Sequence, residues 1–168
     1  YKRQQQLAVI ESILAGKDTL ALLPTGAGKS ICFQVPTIYQ RGICVVISPL
    51  IALMQDQVKD LVSKQLKAVL VGSQLSANEE SIVFKEIEAK KYQFIYCSPE
   101  KLAQKHFQTL LSHLPIQLFA IDEAHCISQW GYDFRPSYRK LDFLKKTFPS
   151  IPILAMTASA IPLVQQDM

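Results

Sequence analysis

Leu23-Pro24-Thr25-Gly26-Ala27-Gly28-Lys29-Ser30 decides how the rest of the chain is read, because it places backbone freedom, a cation and a hydroxyl within eight residues. Gly26 and Gly28 have no Cβ, so the backbone there can take positive φ and turn its N–H groups inward on an anion. Lys29 supplies a point charge for β- and γ-phosphates, Ser30 a hydroxyl for Mg²⁺, and a helix beginning here aims its positive end at the same phosphates. Upstream, Asp18-Thr19-Leu20-Ala21-Leu22-Leu23 is an apolar run of strand length; downstream, Ile31-Cys32-Phe33-Gln34-Val35 continues as a helix. Strand, glycine loop and helix thus follow in the order a phosphate-binding loop requires. Leu23 stands where the strict G-x-x-x-x-G-K-[ST] pattern has glycine, so the match is to its relaxed form.

Breaking a phosphate bond needs more than a cradle: one carboxylate must hold the metal and a second group must orient or deprotonate the attacking water. Asp122 and Glu123 follow directly on the apolar run Ile116-Gln117-Leu118-Phe119-Ala120-Ile121. Two acids after a strand can simply cap the next helix. Together with Gly28-Lys29-Ser30 they read instead as a metal ligand, Asp122, and a group that positions the nucleophile, Glu123.

The 168 residues are the length of one domain, read here as a single domain over 1–168, and with 49% hydrophobic residues they can bury a sizeable core. No segment approaches the ~18 to 20 apolar residues that cross a bilayer, so no membrane partner is expected. The net charge of +4 favours a polyanion only weakly, because the lysines are scattered among acids. Cys32, Cys44, Cys97 and Cys126 lie far apart without a C-x-x-C pair, which reads as reduced core thiols of an intracellular protein.

Short apolar runs at 43–47, 67–71, 93–97, 116–121 and 153–156 alternate with helical patterns, which predicts an α/β fold: a mostly parallel sheet with helices on both faces. A first helix over 4–15 carries Leu7, Ile10, Ile13 and Leu14 on one stripe, and Arg3 and Gln6 at its start can project from one side. Pro36 should bend or end the helix that follows Ser30. In the helix over 50–64, Leu50, Leu53, Met54, Val58, Leu61 and Val62 are core by default, while Ser48 and Gln55 at the strand's end are free to touch a ligand. Ser76 and Glu79 form a capping box. Single helices are expected over 101–114 and 137–147.

Asp122-Glu123-Ala124-His125 spell DEAH, and they continue as Cys126-Ile127-Ser128-Gln129-Trp130-Gly131-Tyr132-Asp133-Phe134-Arg135-Pro136. The chain resembles, from Arg3 to its end, the first RecA-like P-loop NTPase domain of RecQ-family DEAH-box DNA helicases of superfamily 2. That resemblance implies ATP and Mg²⁺ as cofactors, single-stranded and duplex DNA and a second RecA-like lobe as partners, and 3′ to 5′ unwinding by the whole protein. It implies that Arg3 and Gln6 recognise adenine and that Thr25, Gly26, Ala27, Gly28, Lys29 and Ser30 hold the nucleotide. Lys29, Asp122, Glu123 and His125 would be catalytic, with Ser30 and Asp122 at the metal. Ser48, Pro49, Trp130, Phe134 and Arg135 would face nucleic acid, and Thr157 and Ser159 would couple the two sites. Trp130 and Phe134 suit this on their own chemistry, since base stacking on an aromatic side chain contributes ~1 to 3 kcal/mol.

Lys2, Ala27 and Tyr132 depart from the family, which usually has an aromatic, a glycine and a histidine at these places. Two other readings stay open: a DEAH-type RNA helicase or remodelling ATPase, and a nucleotide-dependent nucleic-acid-binding module without hydrolysis. The fragment alone is expected not to unwind DNA.

Overall fold

The apolar runs are the strands of one parallel sheet. In the computed structural model, which describes residues 2–128 and 134–158, they are β1 (Thr19–Leu22), β2 (Ile43–Ile47), β3 (Ala68–Val71), β4 (Phe94–Cys97), β5 (Ile116–Ile121) and β6 (Ile153–Thr157). Their order is β1-β6-β5-β2-β4-β3, and every neighbouring pair is parallel. Trp130 and Ser159 lie outside the described residues.

Helices cover both faces, as the alternation of elements predicts. On one face α1 (Lys2–Leu14), α2 (Ile31–Gln40) and α3 (Ile51–Ser63) bring Ile13, Phe33, Met54 and Leu61 into a core. On the other, α4 (Ala77–Glu88), α5 (Pro99–Leu102), α6 (Lys105–Ser112), α7 (Pro136–Arg139) and α8 (Phe143–Thr147) contribute Ile87, Leu102, Phe107, Tyr138 and Leu144. β2 shows why its sequence is apolar throughout: Cys44 and Val46 enter the first core, Ile43, Val45 and Ile47 the second, and all five are buried. The four cysteines are buried, and burial pushes Cys32 up to about 11 and Cys44 up to about 12. Among the described residues no helix is long and apolar enough to cross a membrane.

Several helix expectations need correction. Leu7 is 54% exposed and Leu14 is also exposed; the inward residues of α1 are Gln6, Val9, Ile10 and Ile13. Gln6 docks on the phosphate loop and so fixes the rotation of α1, which leaves Leu7 and Leu14 each one residue, about 100°, off the buried face. In α3 the buried line is Met54 and Leu61 with Val58, whereas Leu53 and Val62 are exposed, as is Leu50 just before the helix. α2 runs through Pro36 to Gln40. The stretch 101–114 is two helices, because Ser98 caps an earlier start with Pro99 in first position and the Gln104 carbonyl opens a second helix by accepting from Phe107 and Gln108. The stretch 137–147 is likewise divided, α7 and α8 being separated by a 3₁₀ turn, Lys140–Asp142. The capping box of Ser76 and Glu79 is present as read.

Candidate active site

All strands run the same way, so the loops that follow them leave from one rim, where an open α/β sheet meets its ligands. β6 lies between β1 and β5. The phosphate loop after β1 and the acid pair after β5 are therefore separated by two strand spacings, about 10 Å, a gap that side chains can close. They close it: Lys29 Nζ is 3.8 Å from Glu123 Oε1. Thr25, Gly26, Gly28, Lys29, Ser30, Asp122 and Glu123 line one cleft of about 310 Å³.

The loop takes the shape its glycines permit, with φ of +73° at Gly26 and +72° at Gly28. Ser30 is the last residue before α2, so the helix N-terminus faces the cleft that Lys29 enters. Gln6 braces this loop from α1: its amide nitrogen donates to the carbonyls of Ala27 and, at 3.4 Å, Gly28. A Cβ on Gly28 would stand 2.7 Å from that nitrogen, so any side chain there would push the Gln6 amide off the loop, and the positive φ favours glycine in its own right. Arg3 is exposed, one turn before Gln6 on the same helix.

Asp122 is 7% exposed, its N–H donates to the Ile47 carbonyl at 2.8 Å, and one carboxylate oxygen accepts from the Glu123 N–H at 3.0 Å. Burial, and then the negative Glu123, raise its carboxyl above the ordinary range; Lys29 opposes them. A buried anion beside a second anion is a place where a hard cation restores balance, and the donors on offer, a carboxylate and the Ser30 hydroxyl, are oxygens that suit Mg²⁺. Glu123 has φ 49° and ψ 44°, left-handed backbone that a residue with a side chain adopts only when its surroundings fix it. Its second oxygen is 3.2 Å from His125 Nδ1, which is 2.8 Å from the Thr157 hydroxyl. The Thr157 carbonyl accepts from the Leu23 N–H at 3.0 Å, so this buried residue touches both the strand end before the phosphate loop and the acid-pair turn.

The residues expected to face nucleic acid are less uniform. Pro49 and Arg135 line a second cleft, of about 470 Å³, farther along the same rim, and the Arg135 guanidinium donates to the Pro49 carbonyl at 3.4 Å. Phe134 is half-buried, with the Arg139 guanidinium 5.7 Å from its ring centre. Ser48, expected to be free for a ligand, is 2% exposed and its hydroxyl accepts from the Leu50 N–H at 3.4 Å, so it shapes the turn after β2. Gln55 is exposed.

Sequence reasoning missed several residues. Phe33, Leu53, Gln57 and Met156 complete the cleft. Leu53 and Gln57 are four apart on α3 and share a face; an apolar and a polar residue on one line was the available signal. Tyr138 donates its hydroxyl to the Asp122 carbonyl at 2.8 Å, a contact with a backbone atom that the sequence does not show.

A family model described as DEAD/DEAH box helicase matches residues 3–167. The chain belongs to that family. It is 46% identical over 168 residues, 99% of its length, to a probable ATP-dependent DNA helicase RecS of Bacillus subtilis, and 44% identical over 165 residues to an ATP-dependent DNA helicase RecQ of Pasteurella multocida. These alignments take in 33% and 26% of the two relatives, so the chain spans a third or less of either protein. Among solved structures, the helicase MrfA bound to DNA and AMPPNP has a similar fold, with a TM-score of 0.74 over 97% of this chain and 25% of that one, at 18% identity. The RecA-like helicase fold and the RecQ-type resemblance drawn from the DEAH stretch are thus both met.

Proposed function

We propose that this chain is the ATP-binding lobe of a RecQ-type DNA helicase, a single domain that works with a second lobe of the same full-length protein. The observation that carries the reading is the meeting of Lys29 and Glu123 at 3.8 Å in a cleft that also holds Gly28, Ser30 and Asp122. Thr25 to Ser30 cradle the phosphates, with Lys29 on the β- and γ-phosphates, while Ser30 and Asp122 hold Mg²⁺, Asp122 partly through water. Mg²⁺ held there would supply positive charge to offset the charge that develops in phosphoryl transfer. Glu123 orients the attacking water and accepts its proton. His125 and Thr157 link that acid to the strand end before the phosphate loop, and Gln6 with Arg3 receives the adenine.

Single-stranded DNA lies along the rim past Pro49, Arg135 and Phe134. Support for DNA over RNA comes from the relatives named above as DNA helicases. Stimulation of ATP hydrolysis in the full-length protein by single-stranded DNA and by RNA tests the choice: DNA should stimulate more strongly, and the reverse order overturns it. Glu123→Gln in the same protein should retain ATP binding and lose hydrolysis; retained hydrolysis would remove Glu123 from the role assigned here. The 168-residue chain alone should bind ATP weakly and separate no duplex in a strand-displacement assay.

A further inference from the structure

Among the described residues that line the nucleotide cleft, Gln57 is the one polar side chain that belongs to neither the phosphate loop nor the acid pair. It stands on α3, one turn after Leu53 on the same face, and is half-buried. Its neighbours in the cleft wall are apolar: Leu53 on its own helix and the buried Phe33 on α2. A leucine would fill such a position without need of a partner, whereas a half-buried amide gives up water and has to recover hydrogen bonds elsewhere. No hydrogen bond ties the Gln57 side chain to another described residue. Its donors and its acceptor are left for what enters the cleft.

Sheet order sets which part of a ligand this side chain meets. The phosphate loop follows β1, the acid pair follows β5, and α3 follows β2, which lies next to β5 on the side away from β1. The cleft is walled in the same sequence, with the acid pair between the loop and α3. A triphosphate whose β- and γ-phosphates rest on Lys29 turns its last phosphate toward the acids, and α3 closes the cleft beyond them. A primary amide suits that place. Its N–H groups donate to phosphate oxygen, its carbonyl oxygen accepts from water, and it adds no third negative charge beside Asp122 and Glu123. An attacking water has two hydrogens to fix, and Glu123 takes one of them.

We propose that Gln57 is a further catalytic residue, meeting the γ-phosphate and the attacking water from α3, across the acid pair from the phosphate loop. The inference rests on the ATP hydrolysis proposed above. In that step the water oxygen bonds to the γ-phosphorus and the bond from that phosphorus to the β,γ-bridging oxygen breaks. Its electrons leave with ADP, and Glu123 takes a water proton. Gln57 gives and takes no proton; its amide holds water and phosphate in line. The test is Gln57→Leu in the full-length protein. Its kcat should fall about tenfold to a hundredfold, the range for one hydrogen bond to a charged group, with and without single-stranded DNA alike. Affinity for ADP, which lacks the γ-phosphate, should stay within about twofold, while AMPPNP, which carries one, should bind several-fold more weakly. The melting temperature should hold or rise, because leucine suits Phe33 and Leu53, so the lost hydrolysis does not trace to lost packing. Unchanged kcat overturns the proposal. So does an equal weakening of ADP and AMPPNP, which marks a general change of the cleft. If the leucine variant does not fold, Gln57→Glu decides: it keeps the shape and adds a negative charge, so AMPPNP should weaken against ADP, and an unchanged ratio overturns the idea. Hydrolysis absent from the wild-type protein is a separate result, which removes the proposed function and this inference with it; wild-type hydrolysis that survives Gln57→Leu removes the inference alone.

Discussion

Lys29 and Glu123 meet at 3.8 Å in an open cleft, whereas Lys101 and Glu80 meet at 2.6 Å with the lysine side chain only 8% exposed. The Lys101 ammonium lies 5.4 Å from the ring centre of Phe84 and 6.0 Å from that of Phe107, and His106 Nε2 stands 3.4 Å from the other Glu80 oxygen. The residue types are identical and the surroundings are not. A long pair beside glycines and a helix N-terminus is easily parted, so phosphate can take the lysine and water the acid. A short pair walled by aromatic rings is a strut that joins α4 to α5. Separation and walls, more than the presence of opposite charges, tell a working pair from a structural one.

Exchanging their fates is the severest trial of this contrast. Lys29→Ala in the full-length protein should lower ATP hydrolysis by about 10³-fold, the scale of losing a fixed charge stabiliser at a reacting centre. Its melting temperature should hardly move, because the pair is long and reaches water. Lys101→Met should do the opposite, costing about 3 kcal/mol in urea unfolding, the low end for a broken buried pair because Glu80 keeps some access to water. Equal destabilisation by both variants would erase the distinction. A smaller effect is expected at Gly28→Ala, where the positive φ alone costs about 1 to 2 kcal/mol. Adding Gln6→Ala should relieve the collision at 2.7 Å and leave the backbone cost, which urea midpoints of the single and double variants will separate.

The smallest effect lies in acid. Lys101 holds the Glu80 carboxyl below its ordinary 4.5. A depressed folded-state value means that the pair's contribution is complete above pH 4.5 and fades as pH falls through the folded value. Lys101→Met should therefore flatten that acid limb of the stability profile, while Lys29→Ala leaves it in place.

The strands and the two clusters of the cleft were legible because their signals are local. β-branched runs bounded by Gly, Pro or charged residues have few other outcomes, and Gly26, Gly28 and Lys29 carry their chemistry in their order. The inward faces of the helices were not legible, since several rotations of α1 bury some apolar residues and only the docking of Gln6 selects one. Ser48 misled because a strand-end polar residue is as useful for shaping a turn as for binding. Tyr138 was hidden for a different reason: its partner is a backbone carbonyl, which has no signature in the sequence.

Gln6 has one more consequence. Its amide nitrogen is turned to the carbonyls of Ala27 and Gly28, so what it can offer an incoming base is oxygen, an acceptor. Adenine presents its exocyclic amino group to such an atom, while guanine presents another oxygen. On the adenine-binding role proposed for Gln6, the brace on the phosphate loop would double as a filter between purines, with inosine and guanosine triphosphates disfavoured by lone-pair repulsion rather than by size.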